Sequence, residues 1–453
     1  MKHRVTLLAG MLAAGLLAVP TPAQAAPAES VLIAEVLPLG LTVTAIGLHL
    51  DDAGELTDPE AAAAAFVVLA SGAPRVVVDA YMNTSGERTD TPSAGEWLVL
   101  ELEPSAAGLS DRYSVEQTAT VSLVDGVIHP PASAWEPSDV VTPLIDRYEA
   151  REQQGLRYRL FVPEEYDAAE SYPLVLTLHG YGESGTDNER QLTANQLSTA
   201  FADPVWQKRH PAFIVSPQLE AGTGPGAWSH AEVQATLLTI IESLSAEYPI
   251  DSRRVYIAGL SMGALGAWDL LTTAPNTFAG ALLVAYGGGP YVEFTDTPLW
   301  NIQSIDDDTV PYSTSVDAAA ALEDAGAIVT RAEFPGNLSW NHARETALEQ
   351  WRNADAEGAS ILFTAFTPGT TGVPGEPPTS GHFSWVDVFS NEVYLEWLFS
   401  QSLSAPEAEV ASPVRPWALG VFAVVLAATG LVLWRRGRRA GARASLEGSS
   451  REG

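Results

Sequence analysis

The chain contains no cysteine, and positively charged residues are scarce in it. Without cysteine there is no disulfide, no thiolate metal site and no cysteine nucleophile. Lys and Arg number 24 against 56 Asp and Glu, so the formal net charge at pH 7 is −32. Because so acidic a surface repels a phosphate backbone, we expect no nucleic-acid partner.

The chain has enough hydrophobic residues to form a folded core. The chain has 453 residues, of which 46% are hydrophobic and 18% are charged. This composition is typical of a globular protein, and the length favours two domains. We find no internal repeat in the sequence.

The first residues are typical of an export signal. Lys2 and Arg4 precede an uncharged apolar run from Val5 to Val19, and a small-x-small site ends at Ala25. This arrangement predicts a signal peptide over residues 1–25. An uncleaved anchor is the alternative, although the run is short for a membrane span.

The last residues resemble a membrane anchor. The 18 residues from Trp417 to Trp434 carry no charge, and four arginines follow within residues 435–439. We therefore predict a linker over 404–416, a transmembrane helix over 417–434 and a cytoplasmic tail over 435–453. The arginines would keep the tail inside, and the preceding domains would lie at the extracellular face of the cell membrane.

The region before residue 147 is predicted to be a β-sandwich. Segments rich in Val, Leu and aromatic residues occur at Leu41–Leu50, Arg75–Asn83 and Glu96–Glu103, and turn residues separate them. Several short strands at this spacing are typical of a sandwich. We assign this domain to residues 26–146.

From residue 147 onward, strands alternate with helices. Apolar strand-like segments at Leu174–Leu178 and Val255–Ala258 are interleaved with helix-like segments such as Met262–Thr273. This alternation predicts a mostly parallel sheet flanked by helices, which is an α/β fold. We assign this second domain to residues 147–403.

The pentapeptide Gly259-Leu260-Ser261-Met262-Gly263 indicates a serine nucleophile. It follows a predicted strand and opens a predicted helix, which is the setting of a nucleophile elbow. The two glycines would leave room for a tight turn, and the helix N-terminus would favour developing negative charge beside Ser261.

A second motif predicts part of an oxyanion hole. The strand at Leu174–Leu178 leads into His179-Gly180-Tyr181-Gly182. A backbone N–H of Tyr181 or Gly182 would help to hold the substrate oxygen. We interpret His179 as a structural residue of this turn and not as the catalytic base.

A serine nucleophile needs a base, and the base needs a carboxylate to orient it. In α/β-hydrolases the order along the chain is serine, acid, histidine. Asp306, Asp307 and Asp308 follow a predicted strand, and their positions alone do not distinguish them. Of the two later histidines, His342 begins a helix-like stretch, whereas His382 lies in a Gly/Pro-rich loop before a terminal helix, so we favour His382.

Together these segments resemble secreted carboxylesterases of the α/β-hydrolase class that are related to polyhydroxybutyrate depolymerases and feruloyl esterases. More narrowly, they resemble bacterial esterases with an N-terminal immunoglobulin-like domain. The stretches that carry the likeness are Tyr172–Glu189, Val215–Gln218, Val255–Leu270, His382–Trp385 and, more loosely, Phe66–Leu102.

The resemblance implies roles that the residues alone leave open. Alignment on the family's Asp-x-x-Val-Pro pattern makes Asp307 the acid, and the likeness implies Tyr181 and Met262 as oxyanion donors. The chain departs from the simplest members by a long segment between Asp307 and His382. Residues 337–371 therefore look like an insertion that forms part of a lid or rim.

We predict a serine carboxylesterase that works through an acyl-enzyme without metal or cofactor, on a small or polymeric ester. Ser261 would be the nucleophile, His382 the base and Asp307 the orienting acid. A serine peptidase of the prolyl-oligopeptidase type is one alternative, and a surface polymer-binding protein with a vestigial hydrolase fold is another. The specific ester and the oligomeric state do not follow from the sequence.

Overall fold

The structure is a computed structural model that describes residues 29–105, 109–131, 133–164, 166–286, 288–289 and 294–404. The described residues up to Ser402 belong to one compact unit, and Leu403 and Ser404 lie outside it. Its strands fall into two groups, and the change from one group to the other occurs between residues 141 and 148. The boundary at residues 146 and 147 stays a prediction.

The N-terminal domain consists of short strands and one short helix. In chain order these are β1 Ser30–Leu37, β2 Gly40–Gly54, α1 Pro59–Ala64, β3 Phe66–Ala70, β4 Ala73–Arg75, β5 Val77–Asn83, β6 Gly95–Leu102, β7 Tyr113–Gln117, β8 Val121–Leu123, β9 Gly126–Ile128 and β10 Asp139–Val141. A five-stranded sheet of order β10-β1-β2-β6-β5 is accompanied by a β4-β3-β7 sheet and a β8-β9 hairpin.

The alternation along β6 explains how these sheets pack. Leu98, Leu100 and Leu102 lie in one buried cluster with residues of β3 and β7, which is the core of a sandwich. Val99 points to the other face, where it packs in a smaller cluster with Tyr81. The predicted β-sandwich is therefore present, and its larger sheet has apolar side chains on both faces.

The second domain is built around a nine-stranded sheet. Its strands are β11 Tyr148–Gln153, β12 Leu156–Phe161, β13 Tyr172–Leu178, β14 Phe213–Gln218, β15 Ile250–Leu260, β16 Gly280–Val284, β17 Leu299–Ser304, β18 Val329–Phe334 and β19 Ile361–Phe366. The order is β11-β12-β14-β13-β15-β16-β17-β19-β18, and the pairs from β14 to β18 are parallel. Every residue of β13 is buried, as expected for a strand covered on both faces.

Helices cover this sheet. They are α2 Arg190–Thr193, α3 Thr199–Ala202, α4 Pro204–Arg209, α5 Ala231–Glu247, α6 Met262–Thr273, α7 Ser313–Asp324, α8 Trp340–Glu357, α9 Trp385–Val388 and α10 Glu392–Phe399. On α5 the buried residues Leu237, Ile240, Ile241 and Leu244 recur at helical spacing, so one face packs on the sheet.

One component of the predicted fold class is wrong, namely the transmembrane helix. No helix in the described part of the chain is long and apolar enough to cross a membrane. The longest of them, α8, has 18 residues but buries only Ala347, Gln350 and Ala354 and carries charges on its other faces. The supported fold class is an α/β domain behind a β-sandwich.

The predicted location depended on the same helix and is corrected with it. Anchoring at the extracellular face of the cell membrane has no support, because no described helix can serve as the anchor. The predicted span at 417–434 and the predicted signal peptide at 1–25 lie outside the described residues.

Most of the segment 337–371 is built into the fold as a helix and a strand and does not form a lid. It contains α8 and β19, and β19 pairs with both β17 and β18 inside the sheet. The apolar run Ile361–Phe366 is entirely buried, as expected for an interior strand of a parallel sheet. The long interval before His382 therefore contains this helix–strand unit, and its status as an insertion stays a prediction.

Candidate active site

Ser261 occupies a strained turn between β15 and α6. Its φ is 51° and its ψ is −118°, a backbone conformation that costs on the order of 1–3 kcal/mol for a residue with a side chain. The surrounding sheet holds it there, because the N–H of Ser261 donates to the carbonyl of Val284 at 2.8 Å. The turn presents the half-buried side chain at the N-terminus of a twelve-residue helix.

The two glycines of the pentapeptide are required because backbone carbonyl groups lie where a side chain would have to fit. A Cβ on Gly263 would lie 1.9 Å from the carbonyl oxygen of Leu178, and one on Gly259 would lie 2.6 Å from that of Gly263. The carbonyl of Leu178 ends β13 and that of Gly263 lies in the first turn of α6, so neither can move without disturbing the sheet or the helix. The motif therefore encodes the packing of α6 against the ends of β13 and β15.

His382 lies against Ser261. Its Nε2 is 3.0 Å from the Oγ of Ser261, and the two residues are 121 positions apart in the chain. The histidine sits in a 3-10 turn, Gly381–Phe383, which the side chain of Ser380 caps by accepting the N–H of His382 at 3.2 Å. The buried ring packs on Trp385, with ring centroids 5.3 Å apart.

Asp307 holds the other side of the histidine ring. Both of its carboxylate oxygens lie 2.9 Å from Nδ1 of His382. The backbone N–H groups of Thr309 and Val310 and the side-chain amide of Gln303 also donate to this carboxylate. Burial raises the pKa of Asp307, but these hydrogen bonds, led by the one from His382, outweigh it and hold the pKa below its usual value.

The contacts of Asp307 fix the charge of its carboxylate and the tautomer of His382. A carboxylate whose pKa is lowered stays ionised at neutral pH, so Nδ1 of His382 carries the proton that faces it. Nε2 is then the acceptor that meets the hydroxyl of Ser261. The arrangement can remove a proton from the serine as the oxygen attacks a substrate.

The flanking aspartates hold the histidine loop. Asp306 accepts the N–H of Gly369 at 2.7 Å, and Asp308 accepts the hydroxyl of Ser380 at 2.8 Å. Gly381 leaves room for this packing, since a Cβ there would lie 2.5 Å from Oδ1 of Asp306. Sequence reasoning missed the roles of Ser380 and Gln303, because their partners come from distant segments.

Met262 follows the nucleophile directly in the chain, and Tyr181 belongs to a turn packed near it. Met262 is the first residue of α6, and Tyr181 begins a 3-10 turn, Tyr181–Glu183, directly after Gly180. A Cβ on Gly180 would lie only 3.6 Å from that of Ser261, so this turn is packed against the serine. The structure brings both predicted oxyanion residues to the site, and their donor role stays a prediction.

His179 is a buried structural residue. Its Nδ1 lies 2.5 Å from the carbonyl oxygen of Gly180, and its Nε2 accepts the N–H of Leu219 at 3.0 Å. Burial lowers its pKa to about 4, so the ring is neutral at physiological pH and both nitrogens are engaged. The other candidate base, His342, is exposed at the start of α8 and contacts Ser339.

Comparison with known proteins identifies both domains. Residues 29–130 match the esterase Ig-like N-terminal domain, and residues 152–365 match the Esterase family. A match to the Esterase family thus follows a match to the esterase Ig-like N-terminal domain along the chain. The predicted resemblance to esterases with an N-terminal immunoglobulin-like domain is confirmed.

The curated relatives of this chain include a depolymerase and a bifunctional esterase. It is 30% identical over 132 residues to a poly(3-hydroxyalkanoate) depolymerase from Paucimonas lemoignei, covering 26% of this chain and 28% of the relative. It is 26% identical over 178 residues to a bifunctional acetylxylan esterase/xylanase from Neocallimastix patriciarum, covering 37% and 24%. The chain thus spans only about a quarter of the length of these curated relatives.

A solved structure matches this chain over more of its length. A thermostable esterase is 27% identical, with a TM-score of 0.66, and the match covers 83% of this chain and all of the other. At the level of family, the prediction of a hydrolase that acts on esters is confirmed.

Proposed function

We propose that this chain is a serine carboxylesterase whose catalytic residues are Ser261, His382 and Asp307. The observation that carries the proposal is the continuous hydrogen-bonded chain from Ser261 Oγ through His382 to the buried carboxylate of Asp307. Its support is geometric, since a serine on a strained elbow, an imidazole beside its hydroxyl and a carboxylate that orients the imidazole are the parts that nucleophilic ester hydrolysis needs.

Acylation follows from this geometry. The Oγ of Ser261 attacks the ester carbonyl carbon while its proton passes to Nε2 of His382, and Asp307 stabilises the resulting imidazolium. The backbone N–H groups of Tyr181 and Met262 hold the oxyanion of the tetrahedral intermediate. When the intermediate collapses, the C–O bond to the alcohol breaks and His382 returns the proton to the leaving oxygen.

Deacylation repeats these steps with water. A water molecule gives a proton to His382 as its oxygen attacks the acyl carbon, and collapse restores the hydroxyl of Ser261 and releases the carboxylic acid. No step needs a group beyond these side chains, the two backbone N–H donors and water.

The test compares esters with an amide. The wild-type chain is expected to hydrolyse p-nitrophenyl esters, and Ser261→Ala is expected to lose about 10⁵-fold or more in kcat, because the nucleophile is gone. Activity on a proline-containing peptide amide without activity on the esters would favour the peptidase alternative. Ester binding without hydrolysis would favour the vestigial binding protein.

Two matched controls accompany the test. Ser252→Ala changes an exposed serine on the strand that leads to Ser261 and is expected to leave kcat unchanged. His382→Ala should abolish activity, whereas His342→Ala should not, since His342 lies outside the hydrogen-bonded chain. Full activity in His382→Ala would contradict the proposed base.

A further inference from the structure

Strand β17 carries two amide side chains on one buried face. Asn301 and Gln303 are two positions apart, so both point to the same side of the sheet, and both are fully buried. The first turn of α7 adds a third polar side chain, that of Ser315, which is only 2% exposed. Because buried polar groups are unfavourable unless they are hydrogen-bonded, the partners of these three residues explain their presence.

One end of this set contacts the proposed acid. The Nε2 of Gln303 donates to Oδ2 of Asp307 at 3.0 Å and to the carbonyl of Val310 at 2.8 Å. Since Nε2 faces two acceptors, turning the amide over would place an oxygen against them, and its orientation is therefore fixed. Oε1 of Gln303 is thereby directed toward α7, where it accepts the hydroxyl of Ser315 at 2.6 Å.

The other end contacts the segment that holds the nucleophile. The Nδ2 of Asn301 donates to the carbonyl of Tyr286. Tyr286 lies two positions after Val284, whose carbonyl accepts the N–H of Ser261 at 2.8 Å. Between them Ala285 has a φ of 58°, which is uncommon for a residue with a side chain. The amide of Asn301 therefore stabilises a bent segment that directly follows the carbonyl bonded to the nucleophile.

Ser315 joins the two ends. Its Oγ lies 2.6 Å from Oε1 of Gln303 and 3.1 Å from Oδ1 of Asn301. A hydroxyl has one proton, so the nearer oxygen is the main acceptor and the other stays in contact. We call Gln303, Ser315 and Asn301 the buried bridge. It runs without interruption from the carboxylate of Asp307 to the carbonyl of Tyr286.

The buried bridge contains no ionisable group, so it supports the acid without competing for its proton. Burial raises the pKa of Asp307, and the hydrogen bonds that lower it include those from His382 and Gln303. The neighbouring Asp306 and Asp308 direct their carboxylates to other parts of the histidine loop. A weaker donation from Gln303 would therefore let the pKa of Asp307 rise.

We infer that Asn301 and Ser315 are positioning residues of the proposed ester hydrolase. Through Gln303 they orient the carboxylate of Asp307, and through the segment after β16 they stabilise the backbone that holds Ser261. The acid and the nucleophile thereby keep a fixed separation. The two residues act through these neighbours and not on the substrate. This inference rests on the proposed function and deepens it.

The first test is Ser315→Ala, which removes the hydroxyl that holds the amide of Gln303. We expect kcat on p-nitrophenyl acetate to fall about tenfold with KM unchanged, because a hydrogen bond that supports a charged group is weakened. Alanine keeps the Cβ of serine and adds no atom, so the variant should fold.

Ser216→Ala is the matched control. Ser216 is fully buried on β14, and its hydroxyl lies 2.8 Å from that of Thr177 and 2.9 Å from that of Ser198. The same atom is removed outside the buried bridge, so urea denaturation should show similar losses of stability in the two variants. Only Ser315→Ala should lose kcat. Equal losses of kcat in both variants, or no loss in either, would overturn the inference.

The pH profile separates positioning from a general loosening of the fold. If the pKa of Asp307 rises, the ionised acid forms at a higher pH, so the acidic limb of kcat should move to higher pH in Ser315→Ala. A loosened fold would lower kcat by the same factor at every pH. That result would count against the inference.

A double-variant cycle tests whether the buried bridge acts as a unit. Asn301→Ala is also expected to lower kcat about tenfold. The double variant should lose clearly less than the roughly hundredfold of two independent effects, because each change breaks the same connection. A full product of the two factors would show that Asn301 and Ser315 act separately. Should Asn301→Ala not fold, Ser315→Ala and its control decide the inference.

Proton NMR separates this inference from the proposed function. The proton on Nδ1 of His382 lies between the ring and the carboxylate of Asp307, so we expect a downfield resonance that disappears in His382→Ala. Ser315→Ala should shift this resonance and Ser216→Ala should not, whether or not the chain hydrolyses esters. Ester hydrolysis together with a resonance that Ser315→Ala leaves unchanged would support the esterase and reject the positioning role.

Discussion

The carboxylate of Asp307 straddles Nδ1 of His382, with both oxygens 2.9 Å away, although 75 residues separate the two in the chain. Asp306 and Asp308 lie beside it and contact other parts of the histidine loop. Three consecutive aspartates are thus divided among three partners, and only the central one reaches the imidazole.

Asp307→Asn is expected to lower kcat by about 10⁴-fold with little change in KM, because an amide N–H facing Nδ1 favours the wrong tautomer of His382. Asp308→Asn is the matched control. It keeps an acceptor for Ser380, so its kcat should remain within a few-fold of the wild type. Steady-state kinetics on p-nitrophenyl acetate measure both variants. Equal losses at the two positions would contradict the assignment of Asp307.

Gly263→Ala is expected to destabilise the fold by about 3 kcal/mol or more, because the new Cβ would overlap the carbonyl of Leu178. Gly126→Ala adds the same atom where nothing lies within 4 Å, and it should change the free energy of unfolding by less than about 0.5 kcal/mol. Urea denaturation measures both. A stable Gly263→Ala variant with full activity would show that the turn at Ser261 has room for a methyl group beside the carbonyl of Leu178.

The buried carboxyl of Asp387 should make stability fall as pH rises. Burial raises its pKa to about 8, although its Oδ2 accepts the N–H of Gly372 at 3.2 Å. The folded chain therefore keeps a proton that the unfolded chain releases near pH 4, and the associated stability is lost progressively from about pH 4 to 8. The loss amounts to a few kcal/mol, on the order of 1.4 for each unit of pKa difference.

Asp387→Asn removes this titration and keeps an acceptor oxygen for Gly372. The variant should lose less stability than the wild type between pH 5 and pH 9. The difference in Tm, variant minus wild type, should therefore increase by about several degrees over that range. Thermal unfolding at a series of pH values measures the difference. If Tm changes equally with pH in the two proteins, Asp387 does not cause the pH dependence of stability.

The local part of the site was predictable because its signals are contiguous. The elbow at Ser261 needs a strand, two small residues and a helix within a few positions, and the observed β15 and α6 agree with that expectation. The structural role of His179 also followed from its place at a strand end, and its buried, fully engaged ring agrees.

Predictions failed where one segment was judged without its neighbours. The expectation of a lid or rim at residues 337–371 overlooked β19, because an apolar run of six residues reveals its place in a sheet only through its partners β17 and β18. The membrane anchor was inferred from an uncharged apolar run and the arginines that follow it, and no helix in the described part of the chain is long and apolar enough to cross a membrane.

The sequence by itself determined the alternation of strands and helices, the sandwich before it and the turn that exposes Ser261, because these depend on short-range periodicity and on glycine at fixed offsets. The tertiary structure decided how Ser380 and Gln303 support the site and how the two domains contact each other. These features depend on contacts between residues far apart in the chain, such as Gln196 and Val36, which are 160 positions apart. Only the packed sheet and helices bring such residues within hydrogen-bonding distance.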